Sequence, residues 1–366
     1  MTVSSPKTER LAAASRIFVS LKRSYSLIQA LGVLAILVIV MQIANDRFLS
    51  PVNVGNLLGQ MTMMLIVAAG MTIVMIAGEF DVSVGSVVGL SAAVAGWIMV
   101  RWIPAPTAAD HPWWVIVLGL IAPLFIGPIL GLFVGLIVTK ARIPSFIVTL
   151  GMLMIARSLT LVVTQGQPIP DIPLIVRSFG QGRWAQIPLP IAFADYFRTG
   201  SIANLFVWFP IQNIVWVAVI VYAVGWFVLE RTAFGKRVYA VGSNRTVATL
   251  SGVRADRIKI QCLMIVGFTA SLAGVVSVSR LGAVSPNTGE GLEFEVIAAV
   301  VIGGTGLYGG QGKILRTIIG VIVIALTRNF LNLARIAIFW QGFATGAIIL
   351  GAVLLEALQR RISERR

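Results

Sequence analysis

The chain has 366 residues, of which 57% are hydrophobic and only 12% are charged, whereas a soluble domain carries about 25% charged residues. Such a chain cannot cover a water-facing surface, so lipid is its expected solvent, and its uncharged runs approach the roughly 20 residues that cross a bilayer as a helix. The formal charge of +15 does not indicate nucleic-acid binding, because the basic residues cluster in short segments between apolar runs, as in membrane proteins.

The N-terminal residues 1–26 form a polar, basic tail, and an apolar run from Leu27 to Ala44 follows. A cleaved signal peptide is the competing interpretation, but the run ends in Asn-Asp-Arg-Phe rather than in a small-residue cleavage site, which favours an uncleaved span. Further candidate spans follow at about 57–77, 82–100, 113–138, 144–164, 213–229, 259–281, 294–311, 314–333 and 336–357. The sequence thus predicts an all-α, polytopic transmembrane helical bundle of about ten spans over residues 27–358, with a C-terminal tail at 359–366.

The distribution of basic residues predicts the orientation of this bundle. With the N-terminus in the cytoplasm, 20 of the 29 Lys and Arg residues fall in inner segments and seven in outer ones, while Arg157 and Arg328 lie within spans. Positive charge is retained on the cytoplasmic side of membrane proteins. We therefore expect both termini in the cytoplasm, since an odd number of spans would place the basic C-terminus outside.

Two connections are long enough to have roles of their own. The outer connection 165–212 is interrupted by prolines and too polar to span, so it is either a linker or a docking or lid element. The inner segment 235–253 contains three basic residues and no acidic one. Asn244 is a candidate N-cap and Gly252 a candidate C-terminal residue of a short helix between them. A helix this short is only marginally stable on its own. The segment is therefore either a basic interfacial loop or a helix that must pack against a partner.

Polar and glycine-rich positions within the apolar regions are candidates for pathway or gating roles. Asp81, followed by Ser83, suits the N-cap of the span at 82–100, and gating is the alternative. Arg157 is costly in lipid and should face the bundle interior or a cavity. The glycine run that contains Gly303, Gly304 and Gly306 either packs helices closely or forms a hinge near the inner face. Three acidic residues at the outer end of the span 294–311 are either interfacial or meet a partner protein: Glu290, Glu293 and Glu295.

The sequence also excludes nucleotide-binding, disulfide and metal sites of the common types. The stretch Gly304-Thr305-Gly306-Leu307-Tyr308-Gly309 has the spacing of a dinucleotide-binding loop but lacks the preceding strand of a βαβ unit, and no Gly-Lys pair completes a phosphate loop. One cysteine, Cys262, and one histidine, His111, permit neither an intrachain disulfide nor a multi-histidine metal site. The sequence therefore predicts no metal site and no catalytic residues.

Four motifs, in this order, resemble the permease subunits of bacterial ABC importers of the ribose/xylose type. They are GEFDVSVGSVVGLSA (78–92), FIVTLGMLMIARSLTLVVTQGQPI (146–169), ERTAFGKRVYAVGSNRTVATLSGV (230–253) and EFEVIAAVVIGGTGLYGGQGKILRTIIGVIV (293–323). The resemblance covers roughly residues 30–358. The chain departs from the family pattern at Glu79, where glycine is commoner, and at Arg245 and Thr246, where acidic residues are frequent.

The resemblance implies a permease of the bacterial inner membrane that imports a small sugar or polyol. Its implied partners are a second permease copy or a paralogue, two cytoplasmic ATPase subunits and a periplasmic sugar-binding protein, which Glu290, Glu293 and Glu295 would meet. ATP and magnesium would bind the ATPase, so this chain would bind no cofactor and would not be an enzyme. Residues 230–258 would be the cytoplasmic coupling segment, with these candidates for ATPase coupling: Phe234, Gly235, Arg237, Gly242, Asn244, Val247, Ala248, Leu250, Ser251 and Gly252.

Two other function classes compete. A secondary transporter driven by an ion gradient would usually carry intramembrane carboxylates, and acidic residues are scarce inside the predicted spans. A lipid-linked transferase would need paired acidic residues to bind a metal–diphosphate, and the chain has no Asp-rich motif. The sequence therefore favours the permease.

Overall fold

The computed structural model describes residues 34–103, 111–190 and 206–337, with isolated positions at 32 and between 340 and 354. It divides into two compact units, residues 1–49 and 50–366. In the first unit, helix α1 spans Leu34–Ala44, and the Gln42 side chain accepts a hydrogen bond from the Leu49 N–H at 2.9 Å. The tails at 1–26 and 359–366 and most of the predicted span 336–357 lie outside the described residues.

The second unit is a helical bundle with a small two-stranded sheet. Its elements in chain order are α2 (Pro51–Ile76), α3 (Val84–Gly96) continued by a π-helical stretch (Trp97–Trp102), α4 (Trp113–Ile121), a 3₁₀ turn (Ala122–Phe125), α5 (Ile126–Lys140), α6 (Ser145–Thr164), α7 (Leu174–Gln181), β1 (Ala185–Pro190), β2 (Phe206–Ile211), α8 (Ile214–Arg231), α9 (Ala233–Ser243), α10 (Arg245–Leu250), α11 (Ala255–Leu281), α12 (Leu292–Ile302) and α13 (Ile314–Leu333).

Seven helices in the described part of the chain are long and apolar enough to cross a membrane. They are α2, α3 with its π-helical continuation, α4 joined to α5, α6, α8, α11 and α13. Seven of the ten predicted spans therefore have helical counterparts with small shifts of their ends. The largest shift is at α2, which begins at Pro51 rather than at 57, because Ser50 caps the helix and proline suits its first position.

The predicted span at 294–311 is wrong. Its helix, α12, has 11 residues, which at 1.5 Å each extend only about 16 Å, roughly half of a bilayer core. The helix ends at Ile302 because the glycines that follow it turn the chain. The hydropathy of the glycine-rich stretch concealed this break, so the predicted span is not one continuous helix.

Three of the helices form the centre of the bundle. Buried residues make up 78% of the most apolar window of α2 and of α3 and 72% of that of α11, against 22% for α6 and 28% for α8. Helix α5 approaches α11 through Gly127, Gly131 and Gly135, which are spaced four residues apart and pack on the backbone of α11. Small residues at this spacing let membrane helices pack closely. The centre is therefore set by backbone proximity as well as by apolar side chains.

The predicted outer connection 165–212 is not a plain linker. It contains the amphipathic helix α7 and the antiparallel pair of β1 and β2, in which Ala185 lies opposite Ile211. Three prolines, Pro188, Pro190 and Pro210, are tolerated there because both strands of a two-stranded sheet are edges. Gly180 of α7 packs on the backbone of Ser279, which fixes this region at the C-terminal end of α11.

Candidate functional site

Three segments that lie far apart in the sequence meet at one end of the bundle, largely through backbone atoms. The Gly310 N–H donates a hydrogen bond to the Ile76 carbonyl at 2.8 Å, which joins the glycine turn (residues 303–312) to the last residue of α2. Gly242 of α9 packs against both of these groups, and Gly309 packs against Gly78. We call these five residues, Ile76, Gly78, Gly242, Gly309 and Gly310, the glycine junction.

Two helices reach the glycine junction through the same type of ending. Gly78 follows α2 with φ +79°, its N–H donates to the Met75 carbonyl, and the Glu79 N–H donates to the Val74 carbonyl. Gly304 follows α12 with φ +82° and the equivalent pair of hydrogen bonds. This is the Schellman motif, which glycine adopts at the lowest cost because it has no Cβ. The glycine run therefore forms a tight turn that packs closely on its neighbours, and its role as a hinge or pathway-lining turn stays a prediction.

A tyrosine that the sequence analysis did not single out joins α9 to the same turn. The Tyr239 hydroxyl donates a hydrogen bond to the Gly312 carbonyl at 2.9 Å. Burial raises the pKa of Tyr239 above its ordinary value, and the nearby negative charge of Glu230 raises it further. The hydroxyl therefore stays protonated and keeps its role as a donor.

Helix α10 extends from the glycine junction as a short capped helix, as predicted. The Asn244 side chain accepts from the Val247 N–H at 3.0 Å, and Gly252, with φ +83°, follows the last turn. Ala248 is buried, whereas Val247 and Leu250 are 58% and 84% exposed. The helix therefore presents two apolar side chains that the described part of the chain leaves uncovered.

The remaining candidates of this segment differ in burial and contacts. A Cβ on Gly235 would collide with the backbone of Leu229, so glycine is required for close packing of α9 on α8. The Ser251 hydroxyl donates to the Val247 carbonyl at 3.0 Å. Phe234 is half-buried, and Arg237 is exposed.

The basic side chain of Arg245 is paired within the chain. Its guanidinium donates to the Asp256 carboxylate at 2.7 Å, and both side chains are about half exposed. This arginine thus links α10 to the first turn of α11.

The unusual Glu79 forms an ion pair with Lys259 of α11, a residue that the sequence analysis did not connect with it. Their side chains are only 7% and 14% exposed. The pair ties the loop that follows α2 to α11, one residue from the glycine junction. An isolated charge this deeply buried would be costly, so each partner compensates the other.

Asp81 is not the N-cap of α3, contrary to prediction. The helix begins at Val84 with Ser83 as its N-cap, and the Asp81 carboxylate accepts from the Ser83 N–H at 2.8 Å and from the Ser83 hydroxyl. Burial raises the pKa of Asp81 above its ordinary value, while the hydrogen bonds from Ser83 oppose that shift. The aspartate therefore fixes the turn that precedes the helix.

The other predicted polar positions meet farther along the bundle. The Arg157 guanidinium donates to the Thr288 carbonyl at 3.1 Å, so it faces the protein, as predicted. Glu293 is buried against Gly85, with one oxygen lacking a hydrogen-bond partner. Glu295 is also buried, and it pairs with Arg328 of α13 at 2.6 Å.

Two of the three acidic docking candidates are therefore buried rather than available at the outer end of a span, contrary to prediction. Glu293 and Glu295 lie in the first turn of α12 and are buried. Within this group, Glu290 is exposed.

Comparisons with known proteins agree with this architecture. A sequence model of the family described as "Branched-chain amino acid transport system / permease component" matches residues 53–355. The chain belongs to this permease family. The ribose import permease protein of Bacillus subtilis (strain 168) is 37% identical over 325 residues, which cover 88% of this chain and 90% of that protein. The xylose transport system permease protein of Escherichia coli (strain K12) is 30% identical over 403 residues, 99% and 100% of the two chains.

A second ribose import permease protein, from Haemophilus influenzae, is 35% identical over 327 residues, or 88% of this chain and 90% of its own length. No solved structure matches the chain significantly. The glycine junction and α10 both lie within the region that the permease family model matches.

Proposed function

We propose that this permease is the membrane-spanning subunit of an ATP-driven importer of a small sugar or polyol in the bacterial inner membrane. The relatives are named for ribose and xylose, which supports the substrate class. In this proposal the permease pairs with a second copy or a paralogue and works with two cytoplasmic ATPase subunits and a periplasmic sugar-binding protein. It forms the translocation path, and ATP and magnesium bind the partner.

One observation carries the coupling part of this proposal. Leu250 and Val247 project from a capped helix, and Ser243, the last residue of α9 just before its cap, packs against Gly310 in the glycine turn. Exposed apolar side chains on a rigid, polar segment favour contact with another protein. The basic residues of the segment support a cytoplasmic location, where an ATPase would be available.

The opposite end of the bundle is the proposed periplasmic side. There α7, β1 and β2 lie by the C-terminal end of α11, and their connection is the longest predicted outer one. We assign docking of the sugar-binding protein to this region and to the exposed Glu290. Asp81, Ser83, Arg157, Gly303, Gly304 and Gly306 remain candidates for the path and its gate.

The test is Leu250→Asp in the reconstituted importer, with binding protein and ATPase, measured by uptake of radiolabelled ribose or xylose. Burying a leucine side chain is worth about 1.5–3 kcal/mol, and each 1.4 kcal/mol is tenfold in an equilibrium. We expect the ATPase to bind at least about tenfold more weakly, with uptake falling in proportion. Leu174→Asp on α7, at the other end of α11 and also exposed, is the matched control and should retain the ATPase.

Parental ATPase binding and uptake in Leu250→Asp would show that α10 is not the coupling helix. A protease map that places residues 235–253 outside the cell would do the same. Omitting ATP from inside the vesicles should abolish uptake, whereas collapsing the proton gradient should not. The reverse result would indicate the secondary transporter.

A further inference from the structure

Four exposed basic side chains lie at one end of the bundle, where α5 ends and α11 begins. Lys140 is the last residue of α5, and Arg142 follows in the turn toward α6. Arg254 directly precedes α11, and Arg257 lies in the first turn of that helix. All four side chains are exposed. We call Lys140, Arg142, Arg254 and Arg257 the basic cluster.

The packing of α5 on α11 brings these two helix ends to the same level. The helices are antiparallel, because Gly127 of α5 packs on the backbone of Gly267, whereas Gly135, farther along α5, packs on the backbone of Ile260. Continued by one turn, this register places Arg257 beside the last turn of α5. The four basic side chains therefore share one corner of the bundle, at the ends of two spanning helices.

The positive charge of this corner is not neutralised by the ion pairs in the described part of the chain, none of which includes a member of the basic cluster. Asp256, the acidic residue in the first turn of α11, is paired with Arg245 of α10. Arg254 and Arg257 also lie at the N-terminus of α11, the positive end of the helix dipole, where basic residues are unfavourable. An anion held between the members of the cluster would relieve this repulsion.

An apolar surface begins next to the basic cluster. Ile143 lies just beyond Arg142, and Phe146 and Ile147 lie in the first turn of α6; all three are exposed. Exposed apolar side chains continue along α5 at Phe133 and along α6 at Leu150. Both helices belong to segments long and apolar enough to span the bilayer, so their ends lie where hydrocarbon gives way to headgroups.

We infer that the basic cluster binds the phosphate headgroup of an anionic phospholipid whose acyl chains lie along α5 and α6. Basic residues at the ends of spanning helices attract anionic headgroups, and each contributes to binding. The apolar surface favours a lipid over a soluble partner, because it continues along helices that a soluble protein could not follow into the membrane. The inference goes beyond the proposed function, since it does not depend on the transported solute.

The test is native mass spectrometry of the purified full-length permease, released from a neutral detergent after titration with phosphatidylglycerol or phosphatidylcholine. We expect the parent to bind the first phosphatidylglycerol more tightly than phosphatidylcholine. The double variant Arg142→Gln with Arg257→Gln should bind phosphatidylglycerol at least about tenfold more weakly, with phosphatidylcholine binding unchanged.

The matched control is Arg183→Gln with Arg335→Gln, which removes two other exposed arginines and the same net charge. Arg335 has a φ of +54°, close to the +57° of Arg142, so both double variants change one arginine in the left-handed region. The control should keep the parental preference for phosphatidylglycerol. Equal weakening in the two double variants would overturn the inference, because net charge rather than the basic cluster would then attract the lipid.

Two other occupants give different results. If inorganic phosphate at the concentration of the lipid displaces phosphatidylglycerol from the parent, the cluster binds small anions and the inference fails. It also fails if the Arg142→Gln, Arg257→Gln variant keeps its lipid preference but no longer retains the ATPase, because the cluster would then meet that partner. Lipid binding is measured without uptake, so failure of the sugar proposal would leave this result standing.

Discussion

Gly242→Ala is the sharpest test of the glycine junction, because it adds one methyl group where three segments meet. The new Cβ would lie 2.6 Å from the Gly310 nitrogen and closer still to the Ile76 carbonyl oxygen. Overpacking a dense core costs about 1–3 kcal/mol. Separating the Gly310–Ile76 hydrogen bond leaves buried backbone groups unpaired, at about 1–3 kcal/mol more. The greater helix propensity of alanine offsets only about 0.5–1 kcal/mol of this cost. The free energy of unfolding should therefore fall by about 1–5 kcal/mol.

The matched control is Gly151→Ala, the same change within helix α6. A Cβ at Gly151 would meet nothing within 4 Å, so only the gain in helix propensity remains. The assay is the free energy of unfolding of the purified permease in mixed micelles, with each variant measured beside the parent. Gly242→Ala should lower it, and Gly151→Ala should leave it unchanged or raise it slightly. Equal values for the two variants would refute the assignment of Gly242 as a close-packing position.

Two further predictions concern charge and capping. Lys259→Met should destabilise the fold by about 3–5 kcal/mol because it leaves the Glu79 carboxylate buried and unpaired, and adding Glu79→Gln should recover part of that loss in the same unfolding assay. Arg245→Met is its control and should cost at most about 1 kcal/mol, since its pair with Asp256 is half exposed; a similar loss in both would contradict the burial argument. Asn244→Ala should weaken α10 by about 0.5–2 kcal/mol, seen as faster amide hydrogen exchange within it, with Asn244→Ser restoring protection. Unchanged exchange in the alanine variant would show that the cap contributes nothing.

How much the sequence could predict depends on whether the signal was local. The cap at Asn244, the ending at Gly252 and the inward-facing Arg157 follow from rules that act within a few residues, and each is confirmed. The break after Ile302 was visible as a glycine run, yet window hydropathy extended a span across it. Asp81 was placed at the start of α3, but the helix begins three residues later because the carboxylate holds a turn.

The partners across the bundle could not be predicted in the same way. Lys259 pairs with Glu79 across 180 residues of sequence and Arg328 with Glu295 across 33. Neither spacing has a local pattern. The signal that the sequence does contain is the presence of a charged residue inside a span, rather than a spacing between residues. Arg328 stood inside a predicted span, and a charge there needs a partner or water. Applied to Arg328 as it was applied to Arg157, that expectation would have predicted a partner for the Arg328 side chain.

The glycine junction joins the ends of several helices, and this suggests how a movement of α10 could reach the rest of the bundle. At the junction, the C-terminal end of α9, just before α10, contacts the end of α2 and the glycine turn that links α12 to α13. Helices are stiff over this length, so a displacement at the junction would tilt α2, α12 and α13 relative to one another. The contacts at the junction are backbone to backbone, with no flexible side chains between the segments to absorb the displacement. Glycine at Gly242, Gly309 and Gly310 therefore makes a firm mechanical connection possible between the segment that carries α10 and the helices α2, α12 and α13.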